Sequence, residues 1–305
     1  MSTSTALRPT VRTAFASLID YAGLFPPAEL PLAQAEREYE AARGGPHAWM
    51  LGRFIIPAAL LAESPTPIEG PFSVIVDPDV DALHGVAAIR ARGVKVEALE
   101  IPLGKSVSPF RKSLSSDEIL DAIGAIEADL AVAGLRDLPA FLEIPRVEPW
   151  RGALTETMSA LARVELAAKV RCGGVTADAF PSVDELAAFI AAAQAARVPF
   201  KATAGLHHPV RRLDTSTGFT MHGFLNIIAA AALAPRVDRE TLARIVAEED
   251  PSAFAFEDVS FSWRTQRVDA GELTRTRREA FVGYGSCSFA EPVEDLSALG
   301  LLSPP

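Results

Sequence analysis

Short apolar runs alternate with longer amphipathic segments along most of the chain. The first run is SLIDYAGLFPP (17–27), ended by Gly23 and the Pro26-Pro27 pair, and PLAQAEREYEAAR (31–43) then has helical composition and charge spacing. WMLGRFIIP (49–57) reads as a strand stopped by proline, and FSVIVDP (72–78) as another ending in Asp77-Pro78. The helix-like DVDALHGVAAIRARG follows, with Gly93 at its end. KVEALEIPLG (95–104) and PAFLEIPR (139–146) are strands that close on the same tripeptide, Glu-Ile-Pro. Between them, 115–134 opens with SSDE, where Ser115 and Glu118 fit a capping box, and continues as a helix. TETMSALARV (155–164) has helical spacing, ELAAKVRCGG (165–174) is a strand, SVDELAAFIAAAQAARV (182–198) is a helix capped by Ser182, and VPFKATAG (198–205) is the seventh strand.

Strands alternating with helices are the mark of parallel βαβ units. Helix-like segments at 219–234 and 238–249 lead to FAFEDVSFSW (254–263), which supplies the expected eighth strand. Eight units predict an α/β fold of the (β/α)8 TIM-barrel kind. No GxGxxG follows the early strands and no Walker phosphate loop occurs, so an open nucleotide-binding sheet lacks its usual signature. The chain reads as a single domain over 1–305, with 264–305 as a C-terminal extension packing on the barrel.

Composition narrows the setting. With 29 Lys and Arg against 39 Asp and Glu the net charge is −10, which argues against nucleic acid or an anionic membrane as partner. An anionic substrate then requires a local basic pocket. The two cysteines are too few for a disulfide framework, and the N-terminal stretch lacks the apolar core of a signal peptide. The Ala-rich stretch at 227–234 is far shorter than the roughly 18 residues of a membrane span. A cytoplasmic enzyme is expected, and the apolar segment 296–302 suggests a homo-oligomer.

Strand alternation sorts the polar side chains. In AKVRCGG, Lys169, Arg171 and Gly173 share one face, opposite Cys172; in PFKATAG, Lys201, Thr203 and Gly205 share a face. Buried parallel strands normally have two apolar faces, so cations there point to a polar barrel mouth. Cys172 is expected to face outward, beneath a helix, as a small hydrophobe. Glu100 and Glu143 end neighbouring strands and suit general acid–base work, metal ligation or ion pairing with Lys169 and Arg171, with Asp77 in the same ring. His207 and His208 follow strand seven directly and are candidate acid–base groups, with His222 close behind. Gly173 and Gly174 either bring backbone N–H groups against an anion or make a tight turn.

FKATAG (200–205) resembles the F-I-K-T-S-T-G type segment of class I deoxyribose-phosphate aldolases and related barrel lyases. The resemblance covers about six residues, with Lys201, Thr203 and Gly205 matching the Lys, Ser/Thr and Gly pattern. It implies that Lys201 forms a Schiff base with a substrate carbonyl and that Thr203 is a nearby polar group. The family's second lysine comes from the following strand, whereas Lys169 is on the preceding one, and the HHP after strand seven is not part of the pattern. A neighbouring cation lowers the pKa of an imine-forming lysine, so Lys169 and Arg171 either tune Lys201 or bind the substrate anion. The leading expectation is a lyase of aldolase type acting on a small anionic carbonyl compound, without a cofactor. Lys201 is its nucleophile, Glu143 or His207/His208 its proton shuttle, and Lys169, Arg171, Gly173, Gly174, Thr203 and Glu100 its binding groups. Two alternatives stand beside it: a metal-dependent isomerase or hydrolase that holds a divalent ion on the glutamates and histidines, and a non-catalytic ligand-binding barrel.

Overall fold

The computed structural model describes residues 7–63, 69–103, 115–146, 150–215 and 217–303. After α1 (Pro9–Phe15) the chain enters β1 (Ile19–Tyr21), α2 (Leu32–Gly44), β2 (Leu51–Pro57), α3 (Ala58–Glu63), β3 (Phe72–Ile75) and α4 (Val80–Ala91). It continues through β4 (Val96–Pro102), α5 (Ser116–Val132), β5 (Ala140–Glu143), α6 (Trp150–Arg163), β6 (Ala167–Arg171), α7 (Val183–Ala196) and β7 (Phe200–Thr203). Then come α8 (Phe224–Leu233), α9 (Arg239–Ala247), α10 (Ala270–Arg275), β8 (Phe281–Ser286) and α11 (Ala290–Ala298). The eight strands close in the order β1-β8-β7-β6-β5-β4-β3-β2, every pairing parallel. This is a (β/α)8 barrel.

Local chemistry sets the helix starts. Ser115 and Ser182 each accept from the backbone N–H three residues on, and Glu118 and Glu185 reach back to complete capping boxes. Asp79 and Asp238 cap α4 and α9 from one side only, each accepting from a backbone N–H three residues on. Leucines, isoleucines and phenylalanines of the helices pack on the outward strand residues as one continuous apolar layer, which includes Cys172. A smaller cluster of Ala98, Phe141 and Ala167, with Val282 against it, fills the lower interior of the barrel.

Two expectations need correction. FAFEDVSFSW does not close the barrel: Phe254–Phe256 and Ser260–Trp263 pair antiparallel with each other, and Gln266–Asp269 adds a third strand. The closing strand is β8, so 264–305 is part of the barrel and not an extension packed on a finished one. The strand is inconspicuous because its positions are crowded. A Cβ on Gly285 would lie 2.8 Å from Ile55 Cδ1 and 3.3 Å from Thr203 Oγ1, and one on Gly283 would lie 3.0 Å from the Leu18 carbonyl oxygen. Glycine satisfies that packing at the expense of a strand-like composition. Within the apolar segment 296–302, Leu296 and Leu302 bury in the chain's own core and Leu299 is exposed. Gly104, the last residue of the expected fourth strand, lies outside the described residues. Among the described residues no helix is long and apolar enough to cross a membrane.

Candidate active site

The interior of the barrel carries charge where most barrels carry aliphatic side chains. β6 and β7 lie in a register that sets Lys169 beside Lys201, and β5 places Glu143 beside Lys169. Glu100 enters from β4 and Asp20 from β1. Lys201 Nζ donates to Asp20 Oδ2 at 2.5 Å and to Glu100 Oε1 at 2.6 Å. Lys169 Nζ lies 2.7 Å from the other oxygen of Glu100 and 3.0 Å from Glu143 Oε2. Ser73 donates its hydroxyl to Glu100 at 2.7 Å, and Arg171 Nε donates to Glu143 Oε1 at 3.0 Å. Asp20 also accepts from the Arg53 backbone N–H at 2.7 Å, with the Arg53 guanidinium 3.8 Å away.

Cation and anion therefore alternate along one line: Arg171, Glu143, Lys169, Glu100, Lys201, Asp20, Arg53. The four deepest groups, Lys169, Glu100, Lys201 and Asp20, are all buried, and their charges sum to zero. Burial favours the neutral form of Glu100, yet the two ammonium groups hold it well below the usual carboxylate range. Burial likewise opposes the charge on Glu143, and Lys169 and Arg171 outweigh it. For Lys169, burial works against the ammonium, but Glu100 and Glu143 keep its pKa above the ordinary lysine value.

A cavity of about 560 Å³ opens above this line at the C-terminal ends of the strands. Glu100, Glu143, Lys169, Arg171, Gly174, Thr203 and His207 all line it, beneath an apolar collar that includes Phe25, Ile55, Ile75 and Val175. The structure thus brings most of the expected site residues together. Lys201 does not line the cavity: it sits one level down, 1 % exposed, sealed between its two carboxylates. The lysine that lines the cavity is its neighbour across the strand pair, Lys169.

The remaining candidates divide. Gly173 serves backbone packing, since a Cβ there would approach Gly205 Cα to 2.8 Å where the two strand ends cross. Gly205 itself has φ +66°, which glycine adopts without strain. Cys172 faces the helices as expected, and burial pushes its thiol up to about 12. His207 Nδ1 pairs with Glu291 at 2.8 Å, and His208 is held by Asp295 at 2.7 Å, with Asp214 3.5 Å from its other nitrogen. His222 donates from Nε2 to the Pro181 carbonyl at 2.7 Å and is buried away from the cavity lining. Asp77 is exposed beyond the end of β3 and does not line the cavity. His208 and His222 are thus engaged in fixing the loop after β7, outside the cavity lining.

Three side chains of the site escaped sequence reasoning: Asp20, Ser73 and Cys287. Asp20 carried the same signal as Lys169, a charged residue within an apolar strand run, but SLIDY is too short for alternation to mark one of its faces as interior. Cys287 follows the strand that was itself misplaced. Among the described residues no three His, Cys, Asp or Glu side chains are arranged to hold a metal ion. Compared with protein-family models and with curated proteins, the sequence matches none.

Proposed function

We propose that the barrel is a lyase of aldolase type, acting on a small anionic carbonyl compound through an imine on Lys169. The observation that carries this reading is the placement of Lys169: it lines the cavity between two carboxylates, with a second buried lysine directly beneath. An imine-forming lysine needs a base to take its proton and a dry pocket for the carbonyl. Glu143 and the apolar collar meet those two needs.

Arg171 is half exposed at the rim and contacts Glu143 through Nε, leaving guanidinium surface for a substrate phosphate or carboxylate. When that anion engages Arg171, Glu143 loses part of its compensation and becomes the acceptor for the Lys169 proton. The freed amine adds to the carbonyl carbon, and the carbinolamine expels water to give an iminium ion. A base takes the proton of a hydroxyl on the β carbon, two carbons from the iminium carbon, and the bond between the α and β carbons breaks. An aldehyde leaves while the bonding pair is stored as an enamine. The enamine carbon then takes a proton, and water hydrolyses the iminium to regenerate Lys169. Lys201 acts through others in this scheme. It helps hold Glu100 ionised and, with Asp20, fixes it in place, so that Glu100 keeps Lys169 aimed at the cavity.

The test is a panel of small phosphorylated and carboxylated hydroxyketones and 2-oxo acids, followed by release of aldehyde. Lys169→Arg retains the charge and cannot form an imine, so turnover falls to background. Lys201→Arg retains charge without covalent demand and keeps measurable turnover. Full loss in Lys201→Arg alone, with Lys169→Arg active, would reverse the assignment.

A further inference from the structure

The cavity has a second reactive corner, away from the lysines. Cys287 follows β8 and His207 follows β7, and both line the cavity. His207 Nε2 lies 3.9 Å from Cys287 Sγ, while its Nδ1 lies 2.8 Å from Glu291 Oε2 on α11. With the carboxylate accepting from Nδ1, the other ring nitrogen is left facing sulfur. A nucleophile, an imidazole and an orienting acid in line are the elements of an activated thiol.

We propose that Cys287, His207 and Glu291 form a nucleophilic centre in which the imidazole takes the thiol proton and the sulfur attacks small, soft carbon electrophiles admitted to the cavity. With an aldehyde, an S–C bond forms as the carbonyl π pair moves to oxygen, and that oxygen takes the proton from His207 Nε2. The product is a hemithioacetal, formed reversibly and without a redox partner. With an alkyl halide the same sulfur displaces halide, and the proton stays on His207. This chemistry does not depend on the imine assignment of Lys169.

The surroundings favour a protonated ring. Burial opposes its charge, but Cys287 and Glu291 together lift His207 to about 10. Other charged and titratable groups border the pair. Tyr21 lies on β1 close enough to feel a charge on Cys287, its hydroxyl donating to Glu38. His208 and Asp214 act on Glu291, and Asp295 pairs with His208. Lys169, Arg171 and Glu143 line the shared cavity. The second cysteine serves as an internal control, because Cys172 is fully buried under the helices.

The experiment is alkylation of the full-length folded chain with iodoacetamide, read by intact mass and peptide mapping from pH 6 to 8. The expected result is one carbamidomethyl group per chain, on Cys287, at a rate nearly independent of pH. Cys287→Ser abolishes it. In His207→Gln the rate falls at pH 6 and rises about tenfold per pH unit, the behaviour of an unassisted thiol with a pKa of about 8.5. Glu291→Gln alters an exposed residue, so it keeps the test open should His207→Gln fail to fold; it moves the profile the same way. A wild-type rate that already climbs about tenfold per unit, or a Cys287 that stays unlabelled in the folded chain, overturns the proposal.

Discussion

The two ends of the barrel are both lined with charge, and they use it differently. At the N-terminal ends of the strands a cavity of about 1210 Å³ is bordered by Arg53, Arg197, Arg277 and Arg278 with Glu97 and Glu165. Its ion pairs reach water in part: Arg53 Nε lies 3.4 Å from the half-buried Glu97, and Lys95, 66 % exposed in its side chain, lies 2.9 Å from the same carboxylate. At the C-terminal end the cavity is less than half that size, but it opens onto charges removed from water. Exposed pairs are screened and contribute little, whereas buried charges must be matched one for one. The larger opening is therefore not the better candidate for chemistry. Reactivity is expected where matched buried charge meets an apolar pocket, at the face where barrel enzymes carry their active sites.

The sharpest way to break this comparison is to remove one charge from each end. Glu100→Gln leaves Lys169 and Lys201 each short of a partner in a dry interior, and a loss of about 3–5 kcal/mol is expected from urea unfolding. A loss below about 1 kcal/mol would mean that water reaches the layer and that the two ends do not differ in kind.

Acid and base give the next largest effect. Glu100 and Glu143 have folded pKa values below their unfolded ones, so their stabilisation is present above about pH 4.3 and is lost as pH falls further. His207 has the opposite sign. Its folded value of about 10 exceeds the model-peptide value of about 6.5, so its contribution is complete below that pH and declines as pH rises toward 10. Unfolding followed from pH 6.5 to 10 should show a decline of at most about 1.4 kcal/mol per pH unit from this group. The decline should flatten in His207→Gln; an identical slope in that variant would remove His207 as its source.

Gly285→Ala tests the crowding at the C-terminal mouth. The added methyl meets Ile55, and a destabilisation of about 1–3 kcal/mol is expected from overpacking, measured by thermal or urea unfolding. The smallest effect belongs to the other end. Glu97→Gln removes a carboxylate from one half-buried and one exposed pair and should change stability by less than about 1 kcal/mol.

Much of the fold was legible because buried parallel strands and amphipathic helices leave different periodicities, and seven of the strands stood out. β8 was hidden because packing against Ile55 and Leu18 calls for glycine where strand-forming residues would have announced it. The antiparallel strands at 254–263 carried the stronger aromatic pattern and drew the assignment. Within the site, alternation placed Lys169, Arg171, Lys201 and Thr203 on one face, and the register agrees. Depth was not legible. Strand pairing puts Lys169 and Lys201 side by side, while only the closed barrel leaves one at the cavity and the other beneath it. Alternation carries no information on which of two interior lysines meets solvent. The surroundings of His207 and His208 were hidden for a related reason, since their partners Glu291 and Asp295 lie on α11, far along the chain.

The central claim is that Lys169, at the opening, carries the covalent chemistry, and that Lys201 supports it from below. Borohydride reduction in the presence of a cleaved carbonyl substrate tests this most directly, because an imine on lysine is reduced to a stable secondary amine. The account predicts irreversible inactivation, with the substrate's mass on the peptide that carries Lys169 and none on the peptide that carries Lys201. A label on Lys201, or turnover of that substrate with no reducible adduct on either lysine, would contradict it.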